Sequence, residues 1–207
     1  MTAPTLLVLI LTIGGCAAQL RPAPTAQILP GPGQPATAAA AGVRVVAQVG
    51  AWRAEPVNLG GAVTPIFVTI DNQSGAPLRL RSSAFALVSG DGRRFVAQAA
   101  SDIHSAVAHA GPPSYAFPRG YVVLSDPFFY DLYVSDDPES MWTALPTSDM
   151  IQLALPERVL EPRTNVSGFL YFPRLERNVS SVDFTATLAD DRTGAPVATL
   201  TIPFVAR

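Results

Sequence analysis

The amino-acid sequence predicts an all-β protein built as an antiparallel β-sandwich. Apolar and polar residues alternate along several short segments, which is the period of a strand with one buried face. Glycine, proline, asparagine and aspartate cluster between these segments, as they do in turns. The sequence lacks the alternation of strands with long helical patterns that would indicate a parallel sheet. Residues 43–207 are enough for one domain with its own core.

Residues 1–15 have the features of a signal peptide. The apolar run at residues 6–13 is eight residues long, which fits the roughly 7–15 of a signal-peptide core but not the roughly 20 that cross a bilayer. Gly14-Gly15-Cys16 follows this run, and two small residues before a cysteine suit the cleavage site of a bacterial lipoprotein precursor. We therefore expect Cys16 to become the N-terminus and to carry the lipid, including palmitate.

A lipidated Cys16 predicts where the protein resides. The membrane would be its first partner, reached through the lipid anchor, and the protein would belong to the cell envelope. Ala17 stands where an acidic residue would retain some lipoproteins at the inner membrane, so we expect the outer membrane. Cys16 is the only cysteine, so no disulfide within the chain is expected.

Residues 16–42 are predicted to form the lipidated cysteine and a disordered tether. Alanine, proline, glycine, glutamine and threonine dominate this stretch, and Arg21 is its only charge. Such a composition buries too little apolar surface to offset the entropy of ordering the chain. As a flexible coil the stretch would span about 30 Å, and as extended polyproline about 80 Å.

Period-two patterns begin at Val43 and define the predicted domain, residues 43–207. Strands are expected at residues 43–49 and 63–71, and a hairpin is expected where Gly90-Asp91-Gly92 joins residues 84–89 to 93–97. Three further strands are expected near the C-terminus, of which residues 166–172 are apolar on both faces and predict a central strand. The expected core residues are Ile66, Val68, Leu170, Phe172, Phe184, Leu200, Ile202 and Phe204.

Residues at about 99–162 interrupt the strand pattern and predict a partly helical insertion. Ser101 is placed to cap one short helix that runs to Ala110, and Ser148 to cap a second over residues 149–155. The segment between them is rich in aromatic and acidic residues, which makes it a candidate binding surface. Burial of the same rings in the core of the domain is the alternative, and the sequence leaves both open. The candidate binding residues are Tyr121, Phe128, Phe129, Tyr130, Tyr133 and Trp142.

Charge and residue spacing argue against several functions. The fourteen basic residues are all arginines, scattered among sixteen acidic ones with a net charge of -2, so nucleic acid is not an expected partner. The acidic residues between Asp126 and Glu139 lack the spacing of a calcium loop, and His104 and His109 point apart on a helix, so no metal or cofactor is predicted. Ser101, Asp102 and His104 are too close in sequence to align as a catalytic triad, and we expect no enzymatic activity.

Four segments resemble a known class of protein: Val68-Thr69-Ile70-Asp71-Asn72, Phe85-Ala86-Leu87, Gly90-Asp91-Gly92-Arg93-Arg94-Phe95 and Gly168-Phe169-Leu170-Tyr171-Phe172-Pro173. In these segments, which belong to a likeness over about half the chain, the sequence resembles exported bacterial lipoproteins with an immunoglobulin-like sandwich of unassigned function. The resemblance implies an immunoglobulin-like fold and no particular activity.

The expected function is that of a membrane-anchored envelope lipoprotein acting as a non-catalytic interaction module, with an envelope protein as its further partner. Two alternatives stay open. The protein could be a purely structural lipoprotein, or a hydrolase whose site the sequence does not reveal.

Overall fold

The protein, as a computed structural model, is described at residues 19–108 and 142–206. Strands account for most of the regular structure in these residues, and every pairing between them is antiparallel. The prediction of an all-β protein is therefore confirmed. In this part of the chain the strands are β1 (Leu20–Pro22), β2 (Gln27–Ile28), β3 (Ala36–Ala40), β4 (Val43–Val49), β5 (Val63–Asn72), β6 (Leu78–Arg79), β7 (Phe85–Ser89), β8 (Arg94–Val96), β9 (Ser105–Ala108), β10 (Trp142–Leu145), β11 (Val159–Leu160), β12 (Thr164–Pro173), β13 (Ser181–Asp190) and β14 (Pro196–Ala206).

The strands form two large sheets and one small one. One large sheet has seven strands: β1, β14 and β13 lie side by side, and β7 and β6 both pair with the other edge of β13, where β8 and β11 extend it. The second large sheet has five strands in the order β12-β5-β4-β3-β2, and β9 pairs with β10 separately. The helical elements of the described residues are α1 (Ser148–Leu153) and three single 3-10 turns at Leu59–Gly61, Ser82–Ala84 and Ala100–Asp102.

The two large sheets bury one apolar cluster between them, which we call the inter-sheet core. Phe172 of β12 and Phe184 of β13 come from opposite sheets, and their rings meet edge to face with centroids 6.1 Å apart. Each of the eight expected core residues is at most 3% exposed, so that prediction is confirmed. Their alternate positions along long strands explain why the pattern was informative, because successive side chains of a strand point to opposite faces.

The predicted hairpin is also present. β7 pairs with β8, and Gly92 has a positive φ of 85°, which a glycine adopts without steric cost. The Ser89 hydroxyl donates a hydrogen bond to Asp91, and the Arg93 backbone N–H donates another, so these contacts lower the pKa of Asp91. The turn is therefore held by side chains as well as by its glycine.

The predicted disordered tether is wrong for residues 20–42, where β1, β2 and β3 join the sheets. β1 pairs with β14 from Leu20↔Ala206 to Pro22↔Phe204, and β3 pairs along β4. The link from β3 to β4 is the two-residue turn Ala41-Gly42, in which both residues have positive φ, the geometry that matches the twist of a hairpin. The composition did not indicate this hairpin, because alanine and proline are uncommon in strands. In the turn, glycine follows alanine and not the usual asparagine.

The expected central position of residues 166–172 is wrong, although both faces of β12 are buried. β12 ends the five-stranded order and pairs along its length with β5. Its other edge makes isolated bridges with Gln98 and Ala154. Loops and short elements, and not a second layer of long strands, cover its outer face.

The structure shows no helical insertion in the described part of residues 99–162. The first expected helix is replaced by the 3-10 turn Ala100–Asp102 and by β9, which pairs with β10. The second shrinks to α1, six residues capped by Thr147 and not by Ser148, with the Thr147 hydroxyl accepting from the Met150 backbone N–H at 3.3 Å. Pairing between β9 and β10 joins residues far apart in sequence, which a helical spacing within residues 101–110 could not indicate.

Candidate functional site

A concave surface of the described residues lies at the end of the domain where β1 begins. It is an open groove of about 610 Å³ between β1, the connection from β4 to β5 and the residues that follow β12. We call it the Leu20 groove. Its apolar wall includes Leu20, Val49, Trp52, Val57, Val63 and Leu175.

The connection at residues 50–62 forms part of this groove, and hydrogen bonds hold it in place. The Trp52 indole N–H donates to the Pro56 carbonyl at 2.9 Å, and the Arg53 guanidinium donates to the Gly50 carbonyl at 2.8 Å. From the end of β12, the Arg174 guanidinium donates to the Gly61 carbonyl at 3.1 Å. The loop is therefore ordered while it leaves the side chain of Val57 61% exposed to solvent.

A second apolar cluster packs beneath this loop on the outer face of β12 and β5, and we call it the outer cluster. The Trp52 ring meets Phe169 with centroids 5.0 Å apart and Tyr171 with centroids 6.2 Å apart, both edge to face. Such aromatic pairs add to the stability gained from burial alone. The buried members of the outer cluster are Trp52, Leu59, Val63, Ala100, Ile103, Val107, Leu145, Met150, Phe169 and Tyr171.

Among the described residues, Tyr171 has the pKa that is shifted furthest from its usual value. The role of its side chain is structural. Its hydroxyl donates to the Met150 carbonyl at 2.9 Å. Burial raises the pKa of Tyr171 well above its usual range, and the charge of Asp149 adds to the rise. A hydroxyl that stays protonated and already donates to a backbone carbonyl is poorly suited to accept a proton in catalysis.

Three hydrogen bonds join residues 50–62 to the β9–β10 pair and to α1. The Asn58 side-chain amide donates to the Ala108 carbonyl, at the last residue of β9. The Glu55 backbone N–H donates to the Asp149 carboxylate at 3.0 Å, and the Thr147 hydroxyl donates to the Glu55 carbonyl at 2.9 Å. These contacts bring elements about 50 and 90 residues apart in sequence to one end of the domain.

The same contacts link two exposed apolar residues, Val57 and Trp142, through Asn58 and Ala108. Trp142 is the first residue of β10 and lies opposite Ala108 in the strand register. Ala108 in turn accepts the hydrogen bond from Asn58, the residue after Val57. The Trp142 side chain is 56% exposed, comparable to Val57. Exposed large apolar residues grouped at one surface are typical of interaction sites.

Most of the candidate site residues predicted from the sequence lie outside the described part of the chain. Trp142 is the exception, and the structure places it on the exposed surface just described. The residues outside are Cys16, Tyr121, Phe128, Phe129, Tyr130 and Tyr133. Sequence reasoning missed Val57 and Trp52, since neither belongs to a periodic pattern; the one signal was a tryptophan isolated in a turn-rich stretch.

The serine, aspartate and histidine considered for catalysis are not arranged as a triad. The Ser101 hydroxyl donates directly to the Asp102 carboxylate at 3.1 Å within one 3-10 turn, whereas a triad places an imidazole between these groups. Within residues 19–108 and 142–206, no three histidine, cysteine or acidic side chains are grouped to hold a metal ion. The same residues contain no helix long and apolar enough to cross a membrane.

No protein-family model, curated protein or solved structure matches this chain. Its function is therefore inferred from its own residues. The features available for that inference are the Gly14-Gly15-Cys16 junction, the anchoring of β1, and the apolar surface around Val57 and Trp142.

Proposed function

We propose that the protein is a membrane-anchored lipoprotein of the cell envelope that acts as a non-catalytic interaction module. The observation that carries the proposal is the Gly14-Gly15-Cys16 junction behind an eight-residue apolar run. The domain that follows is an antiparallel β scaffold with a buried core, which is suited to present surfaces to partners. The outer membrane remains the proposed location, on the basis of Ala17.

We further propose that the immunoglobulin-like resemblance extends to a two-sheet sandwich and not to the strand order. The inter-sheet core, with residues from both large sheets, supports a sandwich. In an immunoglobulin domain the second and third strands belong to different sheets. When the strands are counted from β3, the second and third are β4 and β5. These two strands pair in one sheet, from Val43↔Asn72 to Val49↔Ile66.

The proposed binding segment is the aromatic stretch from Tyr121 to Tyr133, with Trp142 beside it. Ala108 and Trp142 are the described residues that flank this stretch, and they face each other in the β9–β10 pair. The exposed Trp142 extends the apolar surface there. A partner in the envelope that binds these side chains would bury aromatic area at low cost in rotamer entropy.

One observation favours the alternative of a purely structural lipoprotein. Ile103, Val107, Leu145 and Met150, which flank the aromatic stretch on both sides, are buried in the outer cluster. They complete the packing on β12. If the rings between residues 121 and 133 continue this role, the segment stabilises the domain and binds nothing.

The anchor is tested with Cys16→Ser, and Ala17→Ser serves as the control because it retains the thiol. We expect Cys16→Ser to move the protein from the membrane pellet to the soluble envelope fraction and to abolish incorporation of labelled palmitate. Ala17→Ser should behave as the wild type. Retention of Cys16→Ser in the pellet, with no labelled lipid on the wild type, would contradict the lipid anchor.

The binding segment is tested with the double change Phe129→Ser and Tyr130→Ser. If the rings bind a partner, the melting temperature should stay nearly unchanged while recovery of a cross-linked envelope protein is lost. A large fall in melting temperature would show that the rings are part of the core. The structural alternative would then replace the interaction module.

A further inference from the structure

The position of β1 limits the distance between the domain and the proposed lipid anchor at Cys16. β1 is paired with β14 from Leu20 onwards, and the Ala23 backbone N–H donates to the Pro203 carbonyl at 3.0 Å. Residues 17–19 alone separate Cys16 from Leu20. Four residue steps span at most about 14 Å even when fully extended, so Leu20 lies within that distance of Cys16.

This distance is short compared with the domain. A lipid on Cys16 holds that residue at the headgroup layer, because its acyl chains occupy the hydrocarbon core. The eleven residues of β14 extend for about 36 Å at a rise of ~3.3 Å per residue. With Cys16 lipidated, the end of the domain at Leu20 is therefore held within about 14 Å of the headgroup layer, and the opposite end lies a strand length away.

The membrane-facing end has side chains suited to a lipid interface. Val57 is an exposed apolar residue at this end, where it lines the groove together with Leu20. Arg53 lines the Leu20 groove and Arg174 binds the loop that forms it, and both are exposed. Their guanidinium groups have further N–H donors for phosphate oxygens.

We infer that the end of the domain formed by Leu20 and residues 50–62 rests directly on the lipid bilayer. Val57 enters the interfacial layer, while the turn at Gly75, beyond the far end of β5, points away from the membrane. This orientation rests on the proposed lipidation of Cys16. It replaces the distant, tethered position that the composition of residues 16–42 suggested.

The orientation is tested on the full lipidated protein in vesicles of phosphatidylethanolamine and phosphatidylglycerol. Lipidation occupies the sulfur of Cys16, the only cysteine, so a single introduced thiol can be labelled with an environment-sensitive fluorophore. Val57→Cys reports on the membrane-facing end. Gly75→Cys is the control, since Gly75 is exposed and a Cβ there meets nothing within 4 Å.

We expect a phospholipid with a nitroxide headgroup to quench the label at position 57 at least twofold more than at position 75, with a blue-shifted emission at 57. Equal quenching at 57 and 75, or stronger quenching at 75, would overturn the orientation while leaving the anchor intact. Failure of every variant to float with the vesicles would overturn the lipid anchor instead, and flotation therefore separates the two proposals.

Discussion

The inter-sheet core and the outer cluster are both buried and apolar, but the sequence specifies them differently. In β13 the alternate residues Val182, Phe184, Ala186 and Leu188 all enter the inter-sheet core. The outer cluster instead draws its members from short elements and loops spread from Trp52 to Tyr171. The comparison shows that strand periodicity encodes the first, whereas contacts between segments distant in sequence build the second.

β12 belongs to both regions and makes the comparison direct. Leu170 and Phe172 point into the inter-sheet core, whereas Phe169 and Tyr171 point into the outer cluster. The chain after α1 runs along the free edge of the strand, where the Leu155 backbone N–H donates to the Phe169 carbonyl at 2.8 Å. Substitutions on one strand can therefore test each region with the same backbone around it.

The largest effect is expected from Phe184→Ala in the inter-sheet core. Phe184 is fully buried between Phe85 and Phe172, so the change should lower the free energy of unfolding by about 3–5 kcal/mol. Phe204→Ala, at 1% exposure, should cost a similar amount. Urea denaturation followed by tryptophan fluorescence measures both.

Phe169→Ala is the matched change in the outer cluster. We expect a cost near the lower end of the same range, about 3 kcal/mol, because loops can collapse onto the space that the ring leaves. If Phe169→Ala cost clearly more than Phe184→Ala, the outer cluster would be the better packed of the two regions. The distinction drawn between them would then fail.

The same difference decides how much could be predicted from the sequence. The eight core positions were predictable because β5, β12, β13 and β14 are long and alternate regularly. The apolar outer face of β12 was also visible, yet a pattern within one strand does not say what covers it. A central strand was therefore expected where loops and an isolated bridge are found.

The N-terminal strands and the candidate site were not predictable for a related reason. Ala36 and Thr37 are buried in β3, but short side chains in a proline-flanked stretch carry no apolar period. The segments that hold Val57 and Trp142 are joined by the hydrogen bond from Asn58 to Ala108, which only the folded chain reveals. The lipidation of Cys16 stays a prediction from the sequence.

An intermediate effect is expected from Gly168→Ala, where the two regions meet. A Cβ at residue 168 would lie 2.5 Å from the Leu155 backbone N and Cα, so the chain after α1 would have to move away. We expect a loss of about 1–3 kcal/mol in the free energy of unfolding, including a weakened hydrogen bond from Leu155 to Phe169.

Gly75→Ala is the control for this change, because a Cβ at Gly75 meets open space. It should alter stability by no more than about 0.5 kcal/mol. A Gly168→Ala variant as stable as Gly75→Ala would show that residues 154–155 move away at little cost in free energy. It would also show that β12 does not couple the outer cluster to the inter-sheet core.

The smallest effect at neutral pH is expected from Tyr171→Phe, and its pH dependence tests whether the outer cluster is a dry core. Loss of the hydrogen bond to the Met150 carbonyl should cost about 1 kcal/mol. Burial raises the pKa of Tyr171, so the unfolded chain releases this proton above pH ~10 while the folded chain retains it. Stability from Tyr171 is therefore complete below pH ~10 and declines as the pH rises further.

The advantage of the wild type over Tyr171→Phe should accordingly stay constant up to pH ~10 and shrink above it, as measured by urea denaturation. Thr185→Val is the matched control in the seven-stranded sheet, since the Thr185 hydroxyl donates to the Ala86 carbonyl at 3.2 Å and does not titrate in this range. Its difference from the wild type should stay constant with pH. A constant difference for Tyr171→Phe as well would mean that water reaches the phenol, because a solvated hydroxyl would titrate alike in the folded and unfolded chains.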